Sequence, residues 1–225
     1  KAVEEAPKAQ LTEDDLFVYA SGEKFKYAFS KHYGVFTSIV VDGEEQLDGI
    51  TKLSAFRAPT DNERNIKQYW LNKNVWEGEN LDCAFTKVYD CRVEDGKIIV
   101  EGALAGVSRI PVFKYILQIT ILENGQVDFK LSGDIRKDAR WLQRLGYEFE
   151  LPKDANTFTY YGKGPIESYQ DMCHWASIGM YESTAEKEYV NYVYPQEHGN
   201  HNKIKMLRIG NLEFVSEQGM EIQVS

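Results

Sequence analysis

The 225-residue sequence predicts an all-β protein, a large antiparallel sandwich. Apolar and polar residues alternate over most of the chain, which is the mark of sheets with one buried and one wetted face. Four dipeptides suited to tight hairpins punctuate that alternation. Aromatic residues reach 13 % and hydrophobic residues 43 %, too much apolar material for a disordered chain.

Residues 1–10 are charged and Ala-rich with a single Pro and no apolar period, so residues 1–11 are expected to be a linker and residues 12–225 one domain. Phe25, Tyr27 and Phe29 then alternate with Lys24, Lys26 and Ala28. Asp42-Gly43 separates Ser38-Ile39-Val40-Val41 from Glu44-Glu45-Gln46-Leu47, and Asp95-Gly96 separates Cys91-Arg92-Val93-Glu94 from Lys97-Ile98-Ile99-Val100. Asn124-Gly125 joins the face Phe113, Tyr115, Leu117, Ile119, Ile121 to the face Val127, Phe129, Leu131. Gly210-Asn211 joins Met206-Leu207-Arg208-Ile209 to Leu212-Glu213-Phe214-Val215. The Asp-Gly and Asn-Gly pairs suit type I′ turns, in which both central residues have positive φ. Leu145, Tyr147, Phe149 and Leu151 repeat the strand pattern. So do Met220, Ile222 and Val224, which run to Ser225 without a turn residue; the domain is expected to continue beyond it, leaving the sandwich truncated at its C-terminus. One stretch departs from period 2. Thr60-Asp61-Asn62-Glu63 has the spacing of a capping box, and Ile66, Tyr69, Trp70 and Lys73 follow at helical spacing before Gly78, so a short helical loop is expected after residue 60, over residues 61–74.

Composition excludes several function classes. Lys+Arg 26 against Asp+Glu 35 gives a net charge of −9 without a basic stripe, which argues against a nucleic-acid partner. No apolar run is long enough to cross a bilayer and no signal-peptide core opens the chain, so a cytoplasmic protein without a membrane partner is expected. Cys83, Cys91 and Cys173 are too few and too scattered for a disulfide framework or a zinc knuckle, and read as free thiols of a reducing compartment.

Candidate chemistry is sparse. His198 and His201 in Gln196-Glu197-His198-Gly199-Asn200-His201 lack further ligands at metal-site spacing and read as a hydrogen-bonded loop rim, so no metal site is expected. Gly162-Lys163-Gly164 lacks phosphate-loop spacing; Gly164-Pro165 reads as a tight corner decorated by Glu167, Tyr169 and Asp171. Asp61, Glu63, Glu167, Asp171 and Glu197 are carboxylates of the type glycoside hydrolysis requires, but spacing pairs no two of them, and no nucleophile elbow is present. Tyr160, Tyr161, Tyr169, Trp175, Tyr189, Tyr192 and Tyr194 crowd the last third. They suit either sugar stacking or a tyrosine-rich sheet face, and both readings stay open.

Three stretches carry a family resemblance. Phe56-Arg57-Ala58-Pro59-Thr60-Asp61-Asn62-Glu63 is similar to the R-A-P-x-D-N-D motif of large bacterial multidomain β-galactosidases. Tyr161-Gly162-Lys163-Gly164-Pro165-Ile166-Glu167-Ser168-Tyr169-Gln170-Asp171 resembles that family's W/Y-x-G-x-G-P-x-E-x-Y-x-D, and Tyr192-Val193-Tyr194-Pro195-Gln196-Glu197-His198-Gly199 its Y-x-x-P-x-E-x-G. Phe56 and Glu63 stand where the first motif more often has Trp and Asp, and His198 where relatives can carry Asn. The region resembled is the C-terminal small chain.

The resemblance implies a galactose mutarotase-like supersandwich that follows a catalytic (β/α)8 barrel. The catalytic glutamates would sit on the barrel, so no residue of this chain is expected to be catalytic, and the family's substrate-contacting Trp of this domain would lie beyond Ser225. Arg57, Asp61, Asn62 and Glu63 would belong to a loop at the rim of the active site, Arg57 orienting it through a carboxylate and Asp61 and Asn62 capping its first turn. Glu167, Tyr169, Glu197 and His198 could face carbohydrate. The implied partners are the barrel and other domains of the same enzyme, a galactoside substrate and further subunits of a homo-oligomer. No cofactor is expected in this region, with Mg and Na serving the full enzyme. The alternative is a free-standing carbohydrate-binding or mutarotase-like epimerase domain, with Glu197 and either His198 or His174 as acid and base.

Overall fold

The computed structural model describes residues 6–71, 78–139 and 141–225. The chain is all-β and antiparallel throughout, and forms two compact units: Lys1–Arg57 with Asn65–Leu151, and Ala58–Arg64 with Pro152–Ser225.

The first unit contains β1 (Leu11–Glu13), β2 (Phe17–Ser21), β3 (Phe25–Ser30), β4 (Val35–Val41), β5 (Glu44–Glu45), β6 (Lys52–Ser54), helix α1 (Gln68–Leu71), β7 (Ala84–Glu94), β8 (Lys97–Gly106), β9 (Phe113–Ile121), β10 (Val127–Ile135) and β11 (Gly146–Glu148). Strands β1 to β5 make one five-stranded sheet in chain order, and β7 to β10 make a four-stranded meander. The two sheets pack face to face as a sandwich. Phe36 of β4 meets Phe29 edge-on at 5.2 Å and Phe129 of β10 at 5.9 Å, and the Tyr27 hydroxyl donates to the Gly125 carbonyl at 2.7 Å. Strand β9 follows its sequence pattern closely: Phe113, Tyr115, Leu117, Ile119 and Ile121 are buried, and Lys114 and Ile116 between them are exposed. Pro7 to Ala9, within the stretch read as a linker, lie alongside the end of β9, where the Ala9 N–H donates to Ile121 and the Glu123 N–H to Pro7.

All four expected hairpins form, with different turns. Asp42-Gly43 and Asp95-Gly96 have positive φ at both positions, as type I′ requires. At Asn124-Gly125 only the glycine does, and the Gly125 N–H bonds to Leu122 while the Leu122 N–H bonds to Gln126, a type I turn closed by a glycine bulge. The first position of Gly210-Asn211 alone is positive, the type II′ pattern. The strand expected over residues 145–151 shrinks to β11, because its partner β6 offers only three residues to pair with.

Glu45 closes the β4–β5 hairpin. Its Oε1 accepts from the N–H groups of Ile39, Gln46 and Leu47 at 2.8, 3.0 and 3.1 Å, and its Oε2 from the Ser38 hydroxyl. Burial pushes this carboxyl up, but the four donors outweigh it and hold it below its ordinary 4.5. The stabilisation is therefore present above pH 4.5 and disappears as pH falls through the lowered value. Glu45→Gln should lower the melting temperature at pH 7, and the gap to the native chain should close in a calorimetric series taken down through pH 4.

Over residues 61–71, the described part of the expected helical stretch, the helix is broken by a turn. The Thr60-to-Glu63 cap forms, with the Glu63 carboxylate accepting the Thr60 N–H at 2.9 Å, but it opens only a 3₁₀ turn, Asp61–Glu63. Asp61 and Asn62 are exposed within that turn, whose capping groups are Thr60 and Glu63. One helical turn, α1, follows, and Lys73 and Asn74 lie outside the described residues. Trp70 of α1 is fully buried against Trp141, with ring centroids 5.4 Å apart, and its Nε1–H donates to the Trp141 carbonyl at 2.9 Å.

The second unit is a four-stranded antiparallel sheet of β12 (Thr157–Gly164), β13 (Ser177–Thr184), β14 (Asn200–Ile209) and β15 (Leu212–Gln223), in the order β13-β12-β14-β15. Phe158, Tyr160 and Ile204 fill its buried side. Gly162 is required by close approach: a Cβ there would stand 2.3 Å from Ile204 Cδ1 and 2.8 Å from Ile204 Cα.

Candidate functional site

Three segments far apart in sequence converge within the second unit. The first is residues 58–64, the second residues 165–171 after β12, and the third the loop of residues 185–199 between β13 and β14. The first and third meet through backbone and side chain. The Asp61 N–H donates to Gln196 Oε1 at 2.6 Å, the Glu197 N–H to the Pro59 carbonyl at 3.2 Å, and the Arg64 guanidinium lies over the Tyr194 ring at 5.8 Å.

Glu167 joins the second segment to the third. Its Oε1 accepts from the Tyr192 hydroxyl and its Oε2 from the Gly199 N–H at 2.7 Å. Burial together with this bond pushes the Tyr192 hydroxyl up to about 12. The Trp175 Nε1–H donates to the Glu167 carbonyl at 3.1 Å. Beside it, Ser168 exchanges bonds with β14: its N–H donates to the Asn200 carbonyl, Asn200 Nδ2 returns to the Ser168 carbonyl, and its hydroxyl meets both Asn202 Oδ1 and the Asn202 N–H. Ser168, Asn200 and Asn202 are all buried, so this ladder replaces water for a segment that has no strand partner.

A second buried cluster lies against the sheet. His201 Nε2 stands 2.8 Å from Glu188 Oε2, and its Nδ1 is 3.2 Å from both the Tyr160 hydroxyl and the Lys163 carbonyl. Burial pushes the Glu188 carboxyl up, but hydrogen bonds from His201 and Ser183 and the charge of His201 outweigh it, leaving it below its ordinary value. Burial, with Glu188 and Tyr181 nearby, pushes the Tyr160 hydroxyl up.

The expected site residues divide by exposure. Asp61 and Asn62 are exposed; Glu63 turns inward to the Thr60 cap; Arg57 ends the preceding segment of the first unit. Glu167 and Glu197 are each 5 % exposed, and Glu167 is occupied by the chain's own donors instead of decorating a corner. Tyr169 is half-buried, and burial with Glu167 and Glu197 near it pushes its hydroxyl up. The His198 ring points back to the Glu188 carbonyl, 3.3 Å from its Nδ1, and meets Tyr189 edge-on; His174 is exposed on the connection from β12 to β13. His201, expected on a loop rim, is instead inside β14 and 1 % exposed. Of the crowded aromatics, Tyr160 is core, while Trp175, Tyr189 and Tyr194 are more than half exposed. Sequence reasoning missed Ser168, Asn200, Asn202 and Glu188. The run Asn200-His201-Asn202 in a strand of otherwise apolar alternation was the available signal.

Among the described residues no three of His, Cys, Asp and Glu come together as a metal-ligand set. Cys83, Cys91 and Cys173 are free thiols, and no described helix is long and apolar enough to cross a membrane.

Comparison with known proteins supplies the family. The chain is 29 % identical over 220 residues to a beta-galactosidase of Actinobacillus pleuropneumoniae, covering 96 % of this chain and 21 % of that protein. It is 29 % identical over 225 residues to a beta-galactosidase of Lactobacillus delbrueckii subsp. bulgaricus (97 % and 22 %) and 31 % identical over 218 residues to one of Kluyveromyces lactis (89 % and 20 %). It thus spans about a fifth of the length of these relatives. Residues 21–225 match the family model described as beta galactosidase small chain, and the chain belongs to that family.

Proposed function

We propose that the chain is the noncatalytic small-chain part of a β-galactosidase that hydrolyses terminal β-D-galactosides, and that it completes the rim of an active site whose reactive carboxylates stand on a barrel elsewhere in the enzyme. The observation that carries this reading is the exposed Asp61–Asn62 turn. It is held from beneath by the Thr60–Glu63 cap and by Gln196, with Asn62 exposed and Asp61 exposed beside the Arg64 guanidinium, 4.0 Å from its carboxylate. Such backing with polar side chains presented outward suits a surface that orients a sugar hydroxyl. Arg57 orients the segment at its base. Glu167, Tyr169, Glu197 and His198 brace the rim from inside. Mg and Na belong to the remainder of the enzyme, as do the barrel and the other domains on which this part packs. The enzyme is a cytoplasmic homo-oligomer, a location that the free thiols support.

Two measurements test this. The 225-residue chain alone should give no hydrolysis of a chromogenic galactoside above background; turnover would overturn the assignment of chemistry to the barrel. In the full-length enzyme, Asn62→Ala should raise KM about tenfold, the worth of roughly 1.4 kcal/mol for a lost hydrogen bond to the substrate. An unchanged KM would remove the turn from the rim.

A further inference from the structure

The loop of residues 185–199 carries Tyr192, Tyr194, Gln196 and Glu197 and has no strand partner along its length. Its first turn is short, with the Lys187 and Glu188 N–H groups bonding back to Thr184 and the Tyr189 N–H to Glu186. That turn delivers Glu188 to the point where the loop also ends. The Glu188 carbonyl faces His198 Nδ1 at 3.3 Å, and at Gly199, where φ is +72°, a Cβ would stand 3.0 Å from the same carbonyl oxygen. The Glu188 side chain runs the other way, into the sheet, to His201. One residue thus touches the start of the loop, its end and the strand below.

We infer that the buried Glu188–His201 pair is the pin that positions the rim loop of residues 189–199, so that both side chains act as positioning residues for substrate binding without touching substrate. The positional half rests on the rim reading above; the pin itself does not. Both side chains are shut off from solvent, with the Ser183 hydroxyl as a second donor to Glu188. Glu188 is 6 % and His201 1 % exposed, so water cannot replace the missing partner when one is removed. His201 is itself immobilised, with Nδ1 against the Lys163 carbonyl and the Tyr160 hydroxyl and its ring 4.7 Å from the Tyr160 ring. The pin is therefore fastened to β12 and β14, the two central strands of the sheet. The remaining attachments of the loop depend on it. Tyr192 and Gly199 reach Glu167 only if the chain between them is held in register, and Gln196 reaches the Asp61 N–H under the same condition.

The test uses the full-length enzyme with Glu188→Ala and, separately, Glu188→Gln, which keeps the volume and one acceptor for His201. Amide hydrogen exchange should rise at least tenfold in peptides spanning residues 189–199 for the alanine variant and by less for the glutamine variant, with β9 peptides unchanged. KM for a galactoside should rise several-fold while kcat stays within twofold. Unchanged exchange in residues 189–199 in both variants overturns the pin, as does an equal rise in β9. Loosened exchange with an unchanged KM upholds the pin and overturns the rim reading beneath it. If the alanine variant does not accumulate folded, the glutamine variant decides alone by the same criteria.

Discussion

Glu167→Ala should lower the unfolding free energy by about 3–6 kcal/mol, the worth of two buried hydrogen bonds to a carboxylate, each about 1.5–3 kcal/mol. The lost carboxylate leaves the Tyr192 hydroxyl and the Gly199 N–H without their acceptor, at a place where Glu167 itself is 5 % exposed. Glu167→Gln retains one acceptor oxygen and should cost roughly half as much. Urea denaturation at constant m-value reads both. In the full-length enzyme the alanine variant should also raise KM, since two of the three convergent segments lose their tie. A loss below about 1 kcal/mol for the alanine variant would show that Glu167 does not hold the segments together.

Trp70→Ala should cost a similar amount, about 3–5 kcal/mol, by a different route. Trp70 is fully buried, so the substitution opens a cavity beside Trp141 and also leaves the Trp141 carbonyl without its donor. Trp70→Phe keeps most of the packing and loses the hydrogen bond, which sets its cost at about 1 kcal/mol. The pair separates packing from hydrogen bonding, and a phenylalanine variant as damaged as the alanine variant would contradict the division.

The strands were legible because their signal is local. Strand β9 matches its alternating pattern residue for residue, and each of the four hairpins stands where a glycine pair marked it. Turn types were less legible, because Asn124 and Gly125 suit two geometries and the bulge is selected by how β9 and β10 pair. Residues 145–151 show the same limit: their apolar alternation is real, but the length of a ladder depends on its partner, and β6 is short. The site was legible as three motifs and not as a geometry. Glu167 looked like surface decoration since a carboxylate is usually solvated, and its burial depends on a glycine N–H and a tyrosine from another segment. Glu188 carried no motif at all. Its role exists only because a histidine on β14 faces it, a pairing that no period along the chain reports.

The chain leaves the first unit at Arg57, lends Ala58–Arg64 to the second, and returns at Asn65. A ribosome therefore releases that loaned piece before any of the sheet that will receive it. All of Asn65–Leu151 has to emerge in between, a delay on the order of ten seconds at ordinary translation speeds. During this interval the Asp61 amide waits for Gln196 and the Pro59 carbonyl waits for Glu197. The second unit thus cannot close before its own strands emerge, and a nascent chain arrested before Pro152 should expose residues 58–64 to a protease that the finished protein resists.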